Sequence, residues 1–177
     1  MATLIRRHPQ RYTAAMVWKP HVTVAAIAER RGQFLCVEEH VSGELVINQP
    51  AGHLEPGESL VEAVVRETLE ETAWNFEPEA LAGIYLWQQP ESTRTFLRFT
   101  FAGRVDAHDE SLQLDDGIER ALWLTRDQLA DSRSRLRSPM VLQGVDDYLD
   151  GRRIPLDVLD SLNLAADPVS PLHRRVS

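Results

Sequence analysis

The segment GHLEPGESLVEAVVRETLEETAW, residues 52–74, constrains this chain more than any other. Pro56-Gly57 supplies a tight turn in which glycine takes positive φ. Ser59 follows as a helix cap, and Glu62 three residues later completes a capping box. Val61, Val65 and Leu69 then recur at helical spacing, with Thr68 and Thr72 beside them, so they share one side of a helix. Glu67, Glu70 and Glu71 fall on another side, within an arc of about 100°. The pattern predicts a helix that packs on a sheet through its valines and leucine and turns its carboxylates away. Three like charges at this spacing repel by about 0.2–0.5 kcal/mol per pair. Arg66 lies close enough in sequence to offset them, and a hard divalent cation would turn the repulsion into coordination by oxygen. A solvated acidic face is the alternative that periodicity alone leaves open. The opening of the segment nearly spells a P-loop, but Glu58 stands where that cradle has its lysine, so the match does not make a direct phosphate grip.

The flanking sequence supplies sheet for this helix. Residues 21–29 and 33–39 read as strands joined by an Arg30-Arg31-Gly32 hairpin turn, and 45–49 as a third strand stopped by Pro50. Further strands are expected at 81–87, 94–105 and 118–124, and helices at 125–132 and 139–151. The order predicts a mixed α+β fold in one unit. Residues 17–162 form the expected domain, with a flexible N-terminal extension at 1–16 and a flexible tail at 163–177. At 177 residues a second domain would be cramped. A net charge of −8 argues against binding a nucleic-acid polymer, which needs a basic footprint. Cys36 is the one cysteine, so neither an internal disulfide nor a thiolate zinc cluster is available. No apolar run approaches the ~20 residues of a membrane span, and the N-terminus has no convincing signal sequence. The cytoplasm is the expected location.

Gly52, Glu58, Arg66, Glu67, Glu70 and Glu71 match, at the required spacing, the signature that the Nudix hydrolases carry. The segment therefore resembles that family. Two positions depart from it: Thr68 replaces an aliphatic residue, and Ala73 replaces the glycine that usually ends the helix. Alanine resists the left-handed conformation, so the helix is expected to run on to Asn75. Outside the signature, WKPHVTVAAIAE, FLCVEE, NQPAGHLE, FLRFTFA and LRSPMV resemble the NudJ-type phosphatases of the family, over roughly residues 17–159. The usual start of that branch resembles MVWKPHVTV, so Met16 is the expected functional first residue and 1–15 an expected dispensable extension.

The resemblance implies a single-domain Nudix fold, a mixed β-sheet sandwiched between helices. It also implies hydrolysis of phosphoanhydride bonds with Mg²⁺, or Mn²⁺, as cofactor. By family analogy Glu67, Glu70 and Glu71 are metal ligands, the Ala51 carbonyl is a further one, and Arg66 orients Glu67. Glu67 or Glu58 would serve as base. Many relatives add an acid from the loop before a late strand, and Asp116 and Glu119 are the candidates here. The implied substrates are small diphosphates: nucleoside di- and triphosphates, and pyrimidine or thiamine diphosphates. For them the residues suggest Trp87, with Tyr85, Phe96 and Phe99, as stacking surfaces. Arg98, Arg94 and Lys19 are the candidate phosphate contacts, and Arg94, Arg98 and Thr100 share one strand face while Phe99 and Phe101 share the other. An ADP-ribose diphosphatase is the alternative, since Pro90 lies 16 residues past Trp74, near a proline of that group. A catalytically silent Nudix-fold binding module is another, disfavoured because every signature acid is kept. A monomer or small homo-oligomer is expected.

Overall fold

The computed structural model describes residues 17–90 and 92–162; the expected N-terminal extension and C-terminal tail lie outside them. β1 (His21–Arg30) and β2 (Gln33–Val41) form the predicted hairpin, with Arg31 and Gly32 both at positive φ in its turn. β3 (Glu44–Asn48) returns antiparallel along β2, and β4 (Ala51–His53), a short strand the sequence did not reveal, pairs with β1. α1 (Leu60–Thr72) leads directly into β5 (Trp74–Gln88), followed by β6 (Thr95–His108) and β7 (Ile118–Thr125). α2 (Arg126–Asp131) and α3 (Met140–Leu149) close the domain.

The sheet is mixed, ordered β3-β2-β1-β6-β5, with β4 added to β1 and β7 to β2. β1 and β6 run parallel; the other pairs are antiparallel. Every residue of β1 from Thr23 to Ala28 is buried, because helices cover both faces and alternation gives each face its own core. Val24, Ala26 and Ala28 pack with Phe101, Leu81 and, from α1, Ala63 and Val64. Ile27 on the other face packs with Cys36 and, from α3, Val141, Leu142 and Val145. The result is the expected α+β domain, one mixed sheet flanked by helices.

Three local expectations need correction. α1 begins as predicted, with Ser59 and Glu62 exchanging both capping-box hydrogen bonds. Its buried arc, however, holds Ala63, Val64, Thr68 and Thr72 together with Arg66, Glu67 and Glu71, while Val61, Val65 and Leu69 are only half-buried. The helix is thus rotated so that its acids lie at the edge of the packed face. The helix also stops at Thr72, because Ala73 does adopt the left-handed conformation, with φ 58°. The amide of Ala73 donates to the Leu69 carbonyl at 2.8 Å, and its own carbonyl accepts from the Asp109 amide at 2.9 Å. With β5 starting at the next residue, the reversal must be made in one step, and these bonds offset a cost of about 1–2 kcal/mol. Lastly, β5 extends seven residues further toward its N-terminus than expected. Pro78 is tolerated because β5 is an edge strand with register shifts on either side of that position, and Glu77 and Glu79 pair with Arg104 of β6.

Candidate active site

The signature residues converge where the middle and C-terminal turns of α1 meet β4. Arg66 is the hub. Its guanidinium donates to both Glu58 oxygens, from Nε at 3.0 Å and Nη2 at 2.8 Å. Nη1 donates to Glu67 at 2.8 Å and to Glu70 at 3.0 Å, and Nη2 also reaches the His53 carbonyl at 3.1 Å. These bonds, the Glu58 pair foremost, hold the guanidinium well above its ordinary pKa. Glu58 has little capacity left, because its Oε1 also accepts the Glu55 amide at 2.7 Å. It braces Arg66 through both of its oxygens.

Glu67 and Glu71 are buried, at 9% and 8% exposure. Burial pushes the Glu67 carboxyl up, with the Arg66 charge opposing. It pushes Glu71 further, up to about 9, although the Ala51 amide donates to its Oε2 at 2.8 Å. Repulsion from Glu67 also raises Glu71, and repulsion from Glu70 and Asp115 raises Glu67. Gly52 makes the room for this: a Cβ built there would stand 2.1 Å from the Glu67 carboxylate. Glycine is therefore required by close approach, not by an unusual backbone angle.

The donor set of this cluster, carboxylates with an adjacent backbone carbonyl, suits a hard divalent cation, and buried acids with raised pKa values gain most from one. Glu67 and Glu70 turn toward Arg66, and Glu71 toward Ala51. Among the described residues no three acidic, histidine or cysteine side chains are already gathered as a ligand set. An ion would have to draw Glu67 and Glu70 from Arg66, whose bonds to Glu58 and His53 would keep it in place.

The loop before β7 docks on the C-terminal turn of α1, where the Asp115 amide donates to the Glu70 carbonyl at 3.0 Å. Asp115 is the acid of this loop whose charge acts on Glu67 and Glu71. Of the two sequence candidates, Glu119 pairs with His40 at 3.3 Å on the exposed side of β2 and β7, and Asp116 is exposed next to Asp115. Asp115, Asp116 and Glu119 lie within five positions, which gave the sequence no means of choosing the register.

On the α3 side of β4 lies a small pocket of about 180 Å³, lined by Ala51, Gly52 and His53 and by the predicted Trp87 and Arg98. Strand register builds it. His21, Phe96 and Trp87 form one cross-strand row, and His53, Thr23, Arg98 and Tyr85 the next. Trp87 and Phe96 stack at 5.8 Å with 27° between ring planes. Tyr85 is engaged elsewhere, donating to Asp147 of α3 at 2.6 Å. Arg98 is buried, its Nη1 facing Asn48 at 3.4 Å, and burial pulls it down to about 10. Lys19 and Arg94 are exposed and outside the lining, although the charge of Arg94 reaches His53. Sequence reasoning missed Glu39, Asn48, Arg137 and Ser138, all in the lining. They sit near a strand end or before a helix, and only tertiary register brings them together. A larger cleft of about 550 Å³ shares Trp87, Arg137 and Ser138 and includes Pro90.

Residues 18–143 match the NUDIX domain family. The chain is similar to Phosphatase NudJ of Escherichia coli strain K12, 39% identical over 147 residues that cover 83% of this chain and 95% of the relative. It is also similar in structure to a NUDIX hydrolase from Nitrosomonas europaea, with a TM-score of 0.81 and 47% identity over 83% of this chain and all of that one. A UDP-X diphosphatase shares the fold at 20% identity and a TM-score of 0.64, over 78% of this chain and 68% of that one.

Proposed function

Because the chain belongs to the Nudix domain family and is a Nudix hydrolase, we propose that it is a Mg²⁺-dependent phosphatase releasing inorganic phosphate from small diphosphates. The substrates proposed are nucleoside di- and triphosphates and pyrimidine or thiamine diphosphates. One observation carries this reading. Two buried carboxylates with raised pKa values, Glu67 and Glu71, stand against β4, and a pocket sized for a ring opens on the same strand. A phosphoanhydride would lie at the strand with its organic group beside it. The name Phosphatase NudJ, carried by the relatives at 39% identity, favours terminal phosphate release over cleavage within a nucleoside-diphosphate-X.

Glu67, Glu70, Glu71 and the Ala51 carbonyl would hold the Mg²⁺, and Mn²⁺ shares their donor preference. When bound, the ion neutralises charge growing on the phosphoryl oxygens and acidifies a coordinated water. The residues do the rest. Arg66, braced by Glu58, holds Glu67 beside the site until an ion draws it away. Glu67 is the proposed proton acceptor, because Glu58 has both oxygens committed to Arg66 and the Glu55 amide. Asp115 replaces Asp116 and Glu119 as the proposed acid from outside the helix. Trp87 stacks on the organic group, and Arg94 and Lys19 are left as contacts for the outer phosphate. The partner is a small molecule rather than a nucleic-acid polymer, and a monomer or small homo-oligomer suffices.

A substrate panel with Mg²⁺, scored by product, tests the proposal. Inorganic phosphate from nucleoside and pyrimidine diphosphates is expected. If AMP and ribose phosphate from ADP-ribose dominate, the diphosphatase reading replaces it.

A further inference from the structure

Three polar side chains lining the pocket beside Gly52 keep a buried atom without a partner: Thr23 Oγ1, Arg98 Nε and Ser138 Oγ. Each residue is no more than 6% exposed. Folded proteins rarely leave such donors unpaired, and exceptions call for an explanation. These three come from β1, β6 and the approach to α3, yet they border one chamber. The β1–β6 register sets Thr23 directly opposite Arg98. Ser138 reaches the chamber from the segment before Met140.

The same lining holds one carboxylate, Glu39. Its Oε1 accepts from Asn48 Nδ2 at 3.0 Å and lies 3.8 Å from Arg137 Nε. An anion seated on Arg98 and Ser138 would face this carboxylate. A neutral ring whose edge offers a donor next to an acceptor meets both sides, with an amino group to Glu39 and its acceptors to Arg98 and Ser138. Stacked Trp87 and Phe96 provide an aromatic surface for such a ring. At about 180 Å³ the chamber is below the ~300 Å³ at which ordinary ligand pockets begin, so it takes a single ring rather than a whole nucleoside.

We propose that Glu39, Arg98 and Ser138 determine specificity at this site, selecting a six-membered heterocycle with an amino group beside a ring acceptor over its oxo counterpart, cytosine over uracil. Arg98 is thereby moved from a phosphate contact to a ring contact. The inference rests on the reading that the site acts on diphosphates of small ring compounds, and binding tests it apart from turnover.

Calorimetric titration of the full chain with cytidine and uridine monophosphates is the measurement. The wild type should bind the cytidine compound at least about tenfold more tightly, the scale of one charge-assisted hydrogen bond. Glu39→Gln, whose amide can donate to a ring carbonyl, should bring the two within about twofold. Ser138→Ala should weaken cytidine monophosphate several-fold and serves if the first variant does not fold. Equal wild-type affinities, no binding of either compound, or a cytidine preference that survives Glu39→Gln would overturn the inference. Phosphate release from cytidine and uridine diphosphates is scored in parallel. Absence of turnover with an intact binding preference refutes the proposed reaction and spares the ring recognition; turnover of both at equal kcat/KM with equal binding does the reverse.

Discussion

Replacing Gly52 with alanine should separate stability from activity. The added Cβ would lie 2.1 Å from the Glu67 carboxylate carbon and one oxygen, whereas ordinary contact begins at 3.4 Å. The carboxylate must therefore retreat by more than an ångström. It is the far end of a flexible side chain, so the backbone can stay where it is. The main loss is the 2.8 Å hydrogen bond from Arg66, and a stability decrease of roughly 1–2 kcal/mol is expected. Catalysis is less forgiving, since a misplacement of about 1 Å costs on the order of 10²-fold in rate. Gly32→Ala provides the contrast. Gly32 has φ of 78° and nothing within 4 Å of a built Cβ, so alanine there should cost about 1 kcal/mol in strain and leave turnover unchanged. The assay is Mg²⁺-dependent phosphate release alongside thermal unfolding of both variants. Gly52→Ala with turnover within twofold of wild type, or both variants equally inactive, would refute the claim that Gly52 exists to admit Glu67.

Ala73→Gly should raise the melting temperature by a few degrees, because relief of left-handed strain of about 1 kcal/mol outweighs the small methyl lost; a lower melting temperature would contradict it. Glu71→Gln should abolish turnover yet stabilise the metal-free fold by roughly 1 kcal/mol or more at pH 8. The sign follows from linkage. The folded carboxyl titrates near 9, above its unfolded value of about 4.3, so the native state holds the extra proton and the wild type loses stability as pH rises through that window. Denaturant unfolding in chelator at pH 5 and pH 8 should show the gap between variant and wild type widening with pH, and a constant gap would count against the burial argument.

The strength of the local signals decided what the sequence could show. The capping box at Ser59 and Glu62, the Arg31-Gly32 turn, the β-rich run of β1 and the alternation along β6 are short-range patterns, and each forms where predicted. The rotation of α1 was not legible. Periodicity marks an apolar stripe, but Arg66 neutralises Glu67 and the Ala51 amide receives Glu71, so acids could enter the buried arc. β4 is too short to carry a pattern of its own, and the first part of β5 was hidden by Pro78 and two glutamates that pair across to β6. The pocket depends on register between strands distant in sequence, which explains why Arg98 and Trp87 could be named and Glu39 and Ser138 could not.

Crystals grown with Mn²⁺, whose anomalous scattering locates the ion directly, address the central claim. Manganese should appear between Glu67, Glu70 and Glu71 near the Ala51 carbonyl, with Arg66 still bound to Glu58 but released from Glu67 and Glu70. Saturating Mn²⁺ that left Arg66 bridging all three glutamates, with the ion elsewhere, would contradict it.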